Sequence, residues 1–138
     1  MIQIIAGEKG KGKTKLLIAK ANEEVTSTSG NMVYLDKSNK HMYELSNKLR
    51  LINLREYLVT NSDEFLGFLC GVISQDHDIE KVYIDSFQKI ACINNNLEAV
   101  LTKLNDISNT FTIDFVLCIS YTEDEIPVIF RENIIVTV

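Results

Sequence analysis

The stretch that decides the fold is IQIIAGEKGKGKT, residues 2–14, which joins an apolar run to a glycine-rich loop. Residues 2–6 are mostly apolar and β-branched, which is typical of a buried strand. Residues 7–14 match the pattern G-x-x-x-x-G-K-[ST] at every fixed position. A helical pattern of apolar side chains follows over residues 13–26. This pattern indicates a phosphate-binding loop when it follows a strand and precedes a helix, which is the order predicted here.

The chemistry of this glycine-rich loop, residues 7–14, indicates a phosphate site rather than a solvated turn. Glycines let the backbone wrap closely around an anion, with successive N–H groups pointing inward. Lys13 can reach the β- and γ-phosphates of a nucleotide, and the Thr14 hydroxyl is placed to bind Mg²⁺. The helix that begins here directs its positive dipole end at the same point. We expect a nucleotide to contact Gly7, Glu8, Lys9, Gly10, Lys11, Gly12, Lys13, Thr14 and Lys15.

Asp85 is the second candidate site residue. It directly follows the apolar run Val82–Ile84, so it lies at the carboxyl end of a predicted strand. A carboxylate at such a strand end can support Mg²⁺ from outside its direct ligands or through a bound water. Aspartate is also a common turn former, so a turn or helix-cap role is the alternative.

The rest of the chain alternates short apolar runs with helical patterns. We expect further strands at residues 32–35, 51–54, 82–84, 115–119 and 134–138, and further helices over 39–48, after 60–63 and over 97–107. Such alternation predicts a three-layer α/β/α sandwich with a mainly parallel sheet of five to six strands. We see neither a repeat nor a linker, so residues 1–138 are expected to form a single domain.

The overall composition excludes several classes of protein. Hydrophobic residues make up 46% of the 138 residues, which is enough to favour a folded domain. The net charge of −5 gives no support to nucleic-acid binding or to docking on an anionic membrane. No apolar run approaches the roughly 20 residues of a membrane span, and no leader pattern is visible, so we expect a cytoplasmic protein. The three cysteines lack metal-ligand spacing and are expected to lie in the core.

Taken together, the motifs resemble those of the P-loop NTPase superfamily. Residues 7–14 are similar to its Walker A motif, residues 82–85 are similar to its Walker B motif, and the whole chain is most similar to a minimal RecA-like ATPase core. The resemblance implies the P-loop NTPase fold, ATP and Mg²⁺ as cofactors, and catalytic roles for Lys13 and Asp85. The guanine-reading tetrapeptide Asn-Lys-x-Asp of GTPases is absent, which favours ATP over GTP.

The catalytic carboxylate departs from the commonest pattern. Many ATPases of this class carry Glu directly after the Walker B Asp, where this chain has Ser86. The resemblance implies that a neighbouring strand can supply the carboxylate. Glu123 follows the predicted strand 115–120, which in a RecA-like order lies between the loop strand and the Asp85 strand. We expect Glu123 to orient the attacking water, or else to complement a helix dipole.

Several weaker candidates have plain structural alternatives. Ser120 and Thr122 could sense a γ-phosphate, although Thr122 is equally suited to cap a helix. Asp36 ends the second strand and could contact water or metal. Arg131 could stabilise phosphoryl charge in a neighbouring subunit, or simply be a solvated surface residue. Two isolated histidines, at positions 41 and 77, are expected on the surface.

The sequence favours a slow or partner-activated, Mg²⁺-dependent ATP hydrolase. A non-hydrolysing nucleotide-binding module that regulates a partner is the alternative, which Ser86 supports. A small-molecule phosphotransferase is less favoured, because no arginine-rich lid is present. We expect a protein partner or a homo-oligomer in addition to the nucleotide.

Overall fold

The computed structural model describes all residues, 1–138, and contains one six-stranded sheet. The strands are β1 Ile2–Ala6, β2 Asn31–Asp36, β3 Leu49–Asn53, β4 Ile79–Ile84, β5 Asp114–Ile119 and β6 Ile134–Thr137. The α-helices are α1 Lys13–Glu24, α2 Ser62–Ser74, α3 Phe87–Ile90 and α4 Leu97–Phe111. Short 3₁₀ helices span Leu54–Tyr57, Glu123–Glu125 and Val128–Asn133.

The strand order is β3-β2-β4-β5-β1-β6, and every neighbouring pair is parallel. All six strands therefore end at the same side of the sheet, which we call the carboxyl edge, and begin at the opposite amino edge. β5 lies between β1 and β4, as the resemblance to a RecA-like core implied. In open parallel sheets ligands bind beyond the carboxyl ends of the strands.

The sheet is buried on both faces, which confirms the three-layer α/β/α sandwich. One face belongs to a cluster of 26 buried residues that includes the apolar sides of α2 and α4. The other face belongs to a cluster of 11 buried residues that includes α1. Adjacent residues of β4 divide between the faces, with Val82 and Ile84 in the larger cluster and Tyr83 in the smaller one.

The predicted helix over residues 39–48 is wrong, because this segment forms turns. Its helical spacing depended on Met42, which is exposed, whereas Leu45 and Leu49 are buried against the smaller cluster. Side-chain bonds hold the segment instead of helical ones. Asn22 donates to the Glu44 carbonyl and accepts from the Ser46 N–H, each at 2.8 Å.

Two further expectations need correction. The predicted strand 51–54 begins earlier, at Leu49, and Leu54 belongs to the 3₁₀ helix that follows. Only one of the three cysteines lies in the core. Cys118 is buried in β5, Cys92 is half-buried and Cys70 is exposed on α2. None of the helices is long and apolar enough to cross a bilayer.

Candidate functional site

The glycine-rich loop joins β1 to α1 in a conformation that favours glycine. Gly10 and Gly12 have φ angles of +84° and +87°, where other residues are strained. Gly7 has φ +144°, and a Cβ there would lie 2.4 Å from the Val138 carbonyl oxygen. The Gly7 N–H donates to the Tyr121 carbonyl at 2.7 Å, which ties the start of the loop to the segment that follows β5.

Lys13, the first residue of α1, folds back under the loop. Only 7% of this residue is exposed, and its Nζ donates to the Glu8 carbonyl at 2.8 Å. Burial lowers the pKa of Lys13, and the nearby Cys118 and Asp85 offset only part of that shift. A neutral carbonyl is a weaker partner for an ammonium group than an anion is. Lys13 is therefore held in place without a charged partner.

The side chains of Thr14 and Asp85 are in direct contact. Thr14 lies in the first turn of α1, and Asp85 directly follows β4. The Thr14 hydroxyl donates to the Asp85 carboxylate, at 2.9 Å from Oδ2 and 3.2 Å from Oδ1. The Ser86 N–H donates to Oδ1 at 2.8 Å, and the buried Tyr34 hydroxyl donates to Oδ2 at 3.4 Å. These bonds fix the carboxylate at the end of β4. A hydroxyl beside a carboxylate is a donor set that suits Mg²⁺, which prefers oxygen ligands.

Asp36 provides a second buried carboxylate at the end of the neighbouring strand. Leu35 of β2 pairs with Ile84 of β4, so Asp36 and Asp85 end adjacent strands. Asp36 Oδ1 accepts from the Lys37 N–H at 2.7 Å, whereas Oδ2 is buried with no partner. Burial raises the pKa of Asp36, and the Asp85 charge raises it further. Such an orphaned acceptor costs folding free energy.

An open cavity of about 430 Å³ lies above these groups. Its lining is almost entirely polar, with Ile18 and Cys118 as the apolar exceptions. Six lysines line it, namely Lys9, Lys13, Lys15, Lys37, Lys40 and Lys89. None of the six has a carboxylate oxygen within 4.0 Å of its ammonium group. The carboxyl edge of an acidic protein therefore carries a concentrated positive field.

The cavity brings together most of the residues that the sequence singled out. The predicted residues that line it are Lys9, Gly10, Gly12, Lys13, Thr14, Lys15, Asp85 and Ser120. Gly7, Glu8 and Lys11 do not line it. The Glu8 carbonyl accepts a hydrogen bond from Lys13, and the Gly7 N–H holds the start of the loop through its bond to the Tyr121 carbonyl.

Glu123 is not brought to the cavity. It is exposed in the 3₁₀ helix Glu123–Glu125 and is absent from the cavity wall. Thr122 takes the capping role, since Glu125 accepts from both its N–H and its hydroxyl. Arg131 donates to the carbonyls of Ile126 and Asp124, at 3.0 Å each, and so holds this loop together.

Some cavity residues had not been identified from the sequence. Lys37, Lys40 and Lys89 are single charged residues in loops or a short helix, where a solvated surface is the usual interpretation. Gln88 accepts the Ser120 N–H on its Oε1 at 3.0 Å. His41, which was expected on the surface, lines the cavity 3.1 Å from Glu44, whereas His77 is exposed as expected. A lysine soon after the predicted strands 2–6, 32–35 and 82–84 was the one available signal.

No protein-family model and no curated protein sequence matches the chain. Among solved structures, the flagellar accessory protein FlaH from Methanocaldococcus jannaschii aligns with a TM-score of 0.62 and 14% identity. That alignment covers 96% of this chain and 67% of FlaH. C. elegans PCH-2 aligns with a TM-score of 0.50 and 16% identity, over 99% of this chain and 34% of PCH-2.

These likenesses concern the fold, because both identities are low. They agree with an all-parallel sheet of the P-loop type. In this sheet β5 separates the strand of Asp85 from the loop strand. The fold places the glycine-rich loop, Asp85 and Asp36 at one edge. Fold alone does not assign a reaction.

Proposed function

We propose that this chain binds Mg²⁺-ATP on the glycine-rich loop and hydrolyses it slowly, or only with the help of a partner. The observation that carries the proposal is the Thr14 hydroxyl resting on the buried Asp85 carboxylate, beneath a lysine-lined cavity. We further propose that residues 1–138 act as a single nucleotide-binding domain.

The loop supplies what a triphosphate needs. Backbone N–H groups around Gly10 and Gly12, the start of α1 and the ammonium of Lys13 all favour an anion in the cavity. Lys13 can exchange its neutral Glu8 carbonyl for a phosphate oxygen, which forms a stronger, charge-assisted bond. The other cavity lysines attract the same anion through their field.

Thr14 and Asp85 are the residues that would hold Mg²⁺. Bound there, Mg²⁺ would neutralise phosphate charge and orient the terminal phosphoryl group. Tyr34 and the Ser86 N–H keep the Asp85 oxygens in place before any ligand arrives. This pre-arrangement lowers the entropy cost of binding.

The proposal of slow hydrolysis rests on the lack of a carboxylate in the cavity that is free to orient the attacking water. Asp85 and Glu44 are the acidic residues in its wall, and Glu44 already contacts His41. Asp85 is assigned to the metal, and Glu123 lies outside. The cavity therefore lacks a free carboxylate to orient water, and its lining contains no arginine. Unassisted sites of this kind can be on the order of 10³–10⁵-fold slower than assisted ones.

The same observation favours a second candidate, a non-hydrolysing nucleotide-binding module that regulates a partner. Both functions need ATP binding, and they differ in phosphate release. Steady-state release by the purified protein, measured over a range of protein concentrations, separates them. A rate that rises with concentration supports assistance by a second copy of the chain.

The metal assignment is tested by Asp85→Asn, with Asp124→Asn as an exposed control. We expect Asp85→Asn to leave metal-free ATP affinity nearly unchanged and to remove most of the gain that Mg²⁺ produces, because the lost charge acts through the ion. Calorimetry with and without Mg²⁺ measures both quantities. If Asp85→Asn keeps the whole Mg²⁺-dependent gain, Asp85 is a structural residue and the assignment fails.

A further inference from the structure

A second, smaller cavity of about 190 Å³ opens beside the first, beyond the carboxyl ends of β3, β2 and β4. Lys37 and Lys89 line both cavities, so the two lie next to each other. Arg55 is the third cation of the smaller cavity and does not line the larger one. The remaining lining residues are Leu54, Val59, Ile90 and Cys92.

The cations of this cavity form no ion pair, although the buried Asp36 lies close enough to Lys37 for that lysine to lower the pKa of Asp36. None of its lining residues is acidic, and neither Lys37, Lys89 nor Arg55 forms a salt bridge. Lys37 and, after it, Lys9 lie close enough to lower the pKa of Lys89. Like charges gathered without ion-pair partners repel one another, and an arriving anion relieves that repulsion.

A bound nucleotide would not neutralise all the positive charge of the two cavities. In the larger cavity the six lysines outnumber the two carboxylates. Mg²⁺-ATP carries a net charge of about −2, because the metal cancels part of the phosphate charge. A positive surplus remains, and Arg55 adds to it. This step rests on the proposed function.

We propose that the smaller cavity binds the phosphate of a second ligand, a small phosphomonoester with a short apolar stem, beside the bound nucleotide. Arg55, Lys37 and Lys89 supply donors for a dianionic phosphate, and arginine matches such groups with two parallel N–H bonds. Leu54, Val59 and Ile90 provide an apolar wall for the stem. A volume of about 190 Å³ equals that of roughly six waters in the liquid, which suits a small molecule.

Phenyl phosphate is a suitable probe, with phenol as its neutral counterpart. It is titrated by calorimetry into the protein saturated with Mg²⁺ and AMPPNP, a non-hydrolysable ATP analogue. We expect one equivalent to bind without displacing AMPPNP, more tightly than inorganic phosphate, and we expect no binding of phenol. Displacement of AMPPNP, or equal affinity for inorganic phosphate, contradicts a separate site with an apolar wall.

Arg55→Ala is the decisive variant, because Arg55 is exposed and lines only the smaller cavity. We expect it to weaken phenyl phosphate at least tenfold and to leave AMPPNP affinity within about twofold, with partial recovery in Arg55→Lys. Arg50→Ala, an exposed arginine on β3 outside both cavities, is the matched control and should bind like the wild type. Equal binding by Arg55→Ala and the wild type overturns the proposal.

Two other outcomes are informative. Displacement of phenyl phosphate by a single-stranded oligothymidylate would mean that the cations follow a nucleic-acid backbone, which overturns the small-molecule proposal. Failure of AMPPNP to bind would instead sink the proposed function. Arg55-dependent binding of phenyl phosphate to the free protein would, in that case, still support the second site.

Discussion

The two edges of the sheet differ in whether their lysines are paired with a carboxylate. At the amino edge, Glu24 lies 3.3 Å from the ammonium groups of both Lys20 and Lys81 and accepts a hydrogen bond from the buried Tyr83 hydroxyl. At the carboxyl edge, none of the six lysines that line the cavity forms a salt bridge, and Asp36 keeps an unpartnered oxygen. The lysines named at the amino edge are paired with Glu24, whereas the lysines of the cavity have no carboxylate partner.

The pKa shifts follow the same division. Burial alone would raise the pKa of Glu24, but the Tyr83 hydroxyl and the two lysines outweigh it and lower the pKa. The side-chain amide of Asn31 lowers the pKa of Asp76 at the same edge. At the carboxyl edge the pKa of Asp36 is raised, and those of Lys13 and Lys89 are lowered. At this edge the surroundings favour the neutral forms of these three side chains, as expected where a ligand completes the site.

The largest effect on stability is expected at the amino edge. Glu24→Ala removes the acceptor of the Tyr83 hydroxyl and the partner of two lysines, so the free energy of unfolding should fall by about 2 kcal/mol. Glu23→Ala, the exposed neighbour without an ion pair, is the control and should change little. Urea unfolding at pH 7 measures both.

The Glu24 effect should also depend on pH. Because folding lowers the pKa of Glu24, its contribution is present above the unfolded-state pKa and is lost as pH falls through the folded value. The stability difference between the wild type and Glu24→Gln should therefore shrink as pH is lowered from 7 to 3. A difference that stays constant or grows would show that Glu24 stabilises the fold by packing and not by charge.

A smaller effect of opposite sign is expected at the carboxyl edge. Asp36→Asn removes a buried charge beside Asp85 and keeps the acceptor for the Lys37 N–H, so the free energy of unfolding should rise, by less than Glu24→Ala lowers it. Asp106→Asn on the exposed face of α4 is the control. A loss of stability in Asp36→Asn would show that the charge is well satisfied and would weaken the contrast between the edges.

Local patterns predicted most of the fold, because strand and loop physics act over a few residues. The run 2–14 determined a strand, a turn that needs glycine and a helix start, and the structure has all three. The helix over 39–48 failed because its spacing rested on Met42, and the spacing does not show that the Asn22 side chain holds the turn. A few apolar residues at helical spacing are weak evidence for a helix when a side chain from another element supplies the hydrogen bonds.

The site could be predicted only in part, because the sheet assembles it from distant segments. Gly10 to Thr14 form one local motif, and Asp85 was identifiable from its strand end. Lys37, Lys89 and Arg55 come from three separate connections, and nothing local distinguishes them from solvated cations. Glu123 was a candidate because the resemblance placed its strand next to that of the loop, but its own capping turn keeps it exposed.

The central claim is that Lys13 leaves its carbonyl partner to bind nucleotide phosphate. Calorimetric titration of Mg²⁺-ATP into the wild type, Lys13→Ala and Lys11→Ala tests it most directly, because both lysines belong to the glycine-rich loop and only Lys13 lines the cavity. Lys13→Ala should bind at least about tenfold more weakly, since roughly 1.5–3 kcal/mol of charge-assisted bonding is lost. Lys11→Ala should stay within about twofold of the wild type. Equal ATP affinity in Lys13→Ala and the wild type would contradict the account.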